Sequence, residues 1–73
     1  MISIEDLKEH GKVEVCILSE NKLIIKITKG FSGNAIETFK LMKKIDILTQ
    51  GLYPIIEKCI TDKNMFDIVL KIK

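Results

Sequence analysis

A chain of 73 residues, 47% hydrophobic and 30% charged, has the balance of one small folded domain over residues 1–73, and is too short for two domains or a deep substrate cleft. Its net charge of +2 is too mild to name a nucleic-acid partner. Arginine is absent, which argues against base-specific readout, because guanidinium supplies the bidentate fork that guanine edges and phosphates accept.

In chain order, Ser3 precedes Ile4-Glu5-Asp6-Leu7-Lys8-Glu9-His10 and Gly11 follows. A capping hydroxyl, acids in the first turn and a terminal glycine predict a short helix over 4–10 that docks through Ile4 and Leu7. Residues 12–18 and 22–29 alternate as strands. A three-residue loop, Ser19-Glu20-Asn21, pairs Ile17 with Leu23, Val15 with Ile25 and Val13 with Ile27, which makes one face wholly apolar. It gives Asn21 a left-handed position and sets Glu14 opposite Lys26.

The segment Lys29-Gly30-Phe31-Ser32-Gly33-Asn34 is a turn into a helix, with Asn34 and Glu37 spaced as a capping box. Ala35, Ile36, Phe39 and Met42 lie on the arc expected to face the core, with Glu37, Lys40, Lys43 and Lys44 outward. Leu41, Ile45 and Leu48 form a second stripe, and the helix should end between Lys44 and Gly51. Pro54 suits a first helical position, so a further helix is expected over 54–61 with Ile55, Ile56, Cys59 and Ile60 on one face. Asp62-Lys63-Asn64 turns the chain, and residues 65–72 alternate with Phe66, Ile68, Leu70 and Ile72 inward.

The resulting order, αββααβ, predicts an α+β fold. A three-stranded β-sheet (the hairpin plus the C-terminal strand) carries two helices packed on one face, beside a short N-terminal helix. This order is similar to the type II K-homology domain, a single-stranded nucleic-acid binder whose G-x-x-G lies between its two core helices. Here Gly30 and Gly33 precede the first of those helices and only Gly51 falls between them, so the similarity assigns no family.

Cys16 and Cys59 form no C-x-x-C and His10 is the lone histidine, so no metal and no cofactor are expected. Cys16 and His10 lack a positioning group and an oxyanion site, so no enzyme activity is expected. Cys59 reads as a small core residue. No apolar run approaches a membrane span, and the acidic start lacks the apolar core of a signal peptide, so a cytoplasmic protein with reduced thiols and no membrane partner is expected. The Ile- and Lys-rich composition fits an AT-rich genome, and small proteins of this kind are common in phage and mobile elements.

The expected site is the sheet face turned away from the two later helices. Cys16, Leu18, Ile24 and Val69 form an apolar centre within a rim of Lys12, Glu14, Lys22, Lys26, Asp67 and Lys71, if the C-terminal strand lies beside strand 12–18. Leu52 and Tyr53 extend it. Either the N-terminal helix covers this face, or a protein partner or a second copy does. The expected work is that of a small regulator or inhibitor. The alternative is nucleic-acid or anion binding by Lys26, Lys29, Ser32, Gly33, Asn34, Lys40, Lys43 and Lys44, with the amides of the turn at a positive helix end.

Overall fold

The first hairpin has the register that apolar matching dictates. In the computed structural model, which describes residues 3–72, strands β1 (Lys12–Ser19) and β2 (Lys22–Thr28) run antiparallel with Val13, Val15 and Ile17 opposite Ile27, Ile25 and Leu23. The odd residue of the loop is absorbed differently from the expectation. Pairing jumps between Ile17 and Ser19, so Leu18 forms a bulge. Among the described residues, positive φ outside glycine occurs at Lys29, Gln50 and Asn64, not at Asn21.

Helix α1 (Ala35–Leu48) begins where expected, with Asn34 Oδ1 accepting the Glu37 N–H at 2.7 Å. Its rotation is the reverse of the expected one. Leu41 and Ile45 are buried, whereas Ile36 and Phe39 are 72% and 61% exposed. Glu37 and Lys44 both bond to His10, and these polar ties turn Leu41 and Ile45 down onto the sheet.

The second expected helix is a strand. Ile55–Asp62 forms β3, which pairs antiparallel with β4 (Met65–Lys71), so the sheet has four strands rather than three. β-Branched Ile55, Ile56, Ile60 and Thr61 favour extended backbone. A bulge lies between Ile56 and Lys58, and the apolar residues are divided between the two faces, Ile56 and Cys59 beside Leu70 and Ile68, Ile55 and Ile60 beside Lys71 and Asp67, so their spacing 55, 56, 59, 60 resembles a helix face. Cys59 therefore sits on an exposed edge strand, not on a helix. The similarity to the K-homology order ends with this strand.

The sheet order is β1-β2-β4-β3, all antiparallel. The C-terminal strand lies beside β2, not β1, because Leu23, Ile25 and Ile27 match Leu70, Ile68 and Phe66 side for side. Helix α1 covers these two central strands. The fully apolar core comprises Leu7, Leu23, Ile25, Ile27, Phe31, Leu41, Ile45, Phe66, Ile68 and Leu70, with none from β1 or β3. Phe31, left outside the core by the sequence reading, is 1% exposed and packs on Phe66 with ring centroids 5.5 Å apart. Ile72, expected inside, is 38% exposed.

The N-terminal segment Ile4–His10 is a 3-10 helix. It packs against α1 and the start of β1, with Leu7 fully buried and Ile4 exposed. It thus lies on the α1 side of the sheet.

Candidate functional site

That placement leaves the outer sheet face without a cover from any described element. Cys16 pairs with Ile24 and Ile24 with Val69, so the three form one row across three strands. Because β4 adjoins β2, the row is continuous without the strand order first expected. Leu18, in the bulge, is 55% exposed. Strand β3 extends the face with Lys58 opposite Val69, Ile60 opposite Asp67 and Ile55 opposite Lys71, and Met65 adjoins Thr28. Ile55 and Ile60 were missed because β3 was read as a helix. The rim alternates in sign: Lys26 lies between Glu14 and Asp67, and Lys22 bonds Glu57 at 3.0 Å.

Leu52 and Tyr53 do not extend this face together. Tyr53 packs against the core and lines a cleft on the α1 side with Met42, Pro54, Ile56 and Leu70. The cleft holds about 140 Å³, below the range of small-molecule sites. Leu52 is exposed in the loop.

The residues of the anion reading are committed within the chain. The Ser32 N–H donates to Glu37 Oε1 at 2.8 Å, so the α1 entrance already holds a carboxylate. Ser32 Oγ accepts the Asn34 N–H, and Asn34 caps the helix. Gly33, at φ +81°, lies where a Cβ would come within 2.7 Å of the Asp62–Lys63 backbone. The Asn64 N–H donates to the Phe31 carbonyl, and Asn64 Oδ1 accepts the Gly30 N–H. The glycine-bearing turn is therefore a clasp onto the β3–β4 turn.

The lysines do not form one track. Lys44 donates to Glu9 and, at 2.9 Å, to His10 Nε2. Lys43 stands 4.9 Å above the Phe39 ring on the crest of α1. Lys40 shares a hollow with Glu9 and Glu37, Lys26 is on the far sheet face, and Lys29 is in the β2–α1 turn.

Buried His10 is the polar centre that the sequence reading did not find. A carboxylate only accepts and an ammonium only donates, so Nδ1–H donates to Glu37 Oε2 at 2.7 Å and Nε2 accepts from Lys44. Hydrogen bonds from Ser32, then His10, hold the Glu37 carboxyl down at about 2. Lys44 lowers the Glu9 carboxyl in the same way, by hydrogen bond and charge. Spacing alone gave no signal, since Glu37 is 27 residues from His10. Both ring nitrogens are occupied, so the imidazole ties the 3-10 helix to α1.

Cys16 is on the outer face and His10 on the α1 side, so they make no pair. Both thiols are free and exposed, and burial pushes the Cys59 thiol up, with Asp67 adding to it. Among the described residues, no group of three or more His, Cys, Asp or Glu is arranged to hold a metal ion. No described helix is long and apolar enough to cross a membrane. Comparison with protein-family models, curated proteins and solved structures finds no match.

Proposed function

We propose that this protein binds another protein through the outer face of its sheet, as a small regulator or inhibitor that blocks or recruits a larger partner. The observation that carries the reading is the Cys16–Ile24–Val69 row, left open because the N-terminal helix docks on the opposite side. An apolar centre within a charged rim suits protein contact. No catalytic step belongs to it.

The test compares wild type with Ile24→Lys as bait. Ile24 is half-buried between Cys16 and Val69, so a lysine there can swing its ammonium into water and spare the fold. Wild type should recover a specific partner that Ile24→Lys binds at least about tenfold more weakly, at matched thermal midpoints. Recovery of the same partner with equal affinity by both baits would sink the reading.

A further inference from the structure

We propose that β3 pairs with β3 of a second copy of this chain, antiparallel about a two-fold axis at Ile60, to form one eight-stranded sheet. This goes beyond the outer-face reading, since it uses the edge of the sheet rather than its face. β3 is an edge strand, and all eight of its residues are exposed. Its outward N–H and C=O groups form a template for another strand. Pairing with β4 places Lys58, Ile60 and Asp62 on the outer face, with Cys59 and Thr61 on the other.

An antiparallel self-pairing centred on Ile60 then sets Lys58 opposite the partner's Asp62, and Asp62 opposite the partner's Lys58. Ile60 meets the partner's Ile60 between them, and Cys59 meets the partner's Thr61. Opposite charges directly across a ladder stabilise it, and like charges weaken it. The neighbouring registers are worse. A centre at Lys58 or Asp62 sets like charges face to face, and a centre at Cys59 or Thr61 leaves both charges without a counterpart.

The strand geometry agrees with this register. The bulge falls before Lys58, so the five paired residues, 58–62, follow the irregularity and form a regular ladder. Among the described residues, neither Lys58 nor Asp62 has an ion-pair partner in its own chain. The other edge, β1, offers no equivalent. Its charges are Lys12 and Glu14, and opposing them across a two-fold pairs only residues 12–14. A two-fold contact at β3 is isologous and closes at the dimer. Both α1 helices then lie on the same side of the joined sheet, and the two outer faces merge into one.

Sedimentation equilibrium of the full chain tests this. Wild type should be a dimer. Lys58→Glu or Asp62→Lys should each raise the dissociation constant about tenfold, and the double variant should return to within about threefold of wild type. Ile24→Lys should leave the constant unchanged, which separates this contact from the outer-face reading. A monomer at millimolar concentration, assemblies larger than dimers, or indifference to single reversals would overturn the proposal. Disulfide trapping gives a second readout in a Cys16→Ser, Cys59→Ser background. Ile60→Cys should cross-link across the axis and Lys58→Cys should not. The reverse pattern would refute this register even if the charge variants failed to fold.

Discussion

Glu37 closes α1's first turn, meets the Ser32 amide and anchors His10 with one carboxylate. Its carboxyl sits at about 2 in the folded chain against an ordinary 4.5. As pH falls, the unfolded chain takes up the proton first, so the contribution of Glu37 is complete above about pH 5.5 and is lost as pH drops through 4.5 toward 2. Glu37→Gln should therefore cost about 1.5–3 kcal/mol at neutral pH, the range for hydrogen bonds to a charged group. Urea midpoints of wild type and variant should converge as pH approaches 2. A gap that stayed constant from pH 7 to pH 2 would show that the charge contributes nothing.

At the scale of elements, the two connections hold each other. The β2–α1 turn and the β3–β4 turn meet at Gly33, at the Gly30–Asn64 bond and at the Asn64–Phe31 bond. Gly33→Ala adds a methyl against backbone that cannot move aside, at a φ of +81°. Gly51 also has positive φ, +69°, but a Cβ there meets nothing within 4 Å. Gly51→Ala should cost about 1 kcal/mol, and Gly33→Ala roughly 2–4 kcal/mol, in chemical denaturation. Equal losses would mean that the clasp does not resist the methyl. The same elements show what was legible beforehand. The β1–β2 register followed from apolar matching, because only one alignment puts Val13, Val15 and Ile17 with Leu23, Ile25 and Ile27. The identity of β3 did not follow, because Ile55, Ile56, Cys59 and Ile60 are divided between its two faces and leave no apolar alternation to read. The rotation of α1 was also hidden. Two apolar arcs compete, and the choice between them depends on His10, which is close to Glu37 and Lys44 only after folding. That Cys16, Ile24 and Val69 share one face was legible because strand alternation assigns a face without knowledge of strand order, whereas the bulge at Leu18 was not. Tyr53 was misplaced because its loop leads into a strand rather than a helix.

For the whole molecule, the question is where its charge goes. Residues 1–20 carry a net −3 and residues 21–73 a net +5, which leaves open whether the excess lysines form a field that a phosphate backbone could follow. Folding intermixes the two signs. Glu9 meets Lys44, Glu14 lies opposite Lys26, Asp67 flanks Lys26 on its other side, and Glu57 holds Lys22. A nucleic acid binds in proportion to the phosphates it can neutralise at once, and each adds about −0.9 to the log–log salt slope. The lysines of the turn, the crest of α1 and the outer sheet face do not point to one groove. Phe39 is the one aromatic residue that is mostly exposed, and it already lies under Lys43, while Tyr53 is packed against the core. Fluorescence titration with single- and double-stranded DNA should therefore give a slope no steeper than about −2, with no measurable binding at physiological salt. A slope of about −4 or steeper, with binding that persists at that salt, would mean that the lysines act together on a surface this fold does not assemble in one copy. If the steep slope appeared only in variants that retain the Lys58–Asp62 pairing, the joined sheet would be the surface responsible.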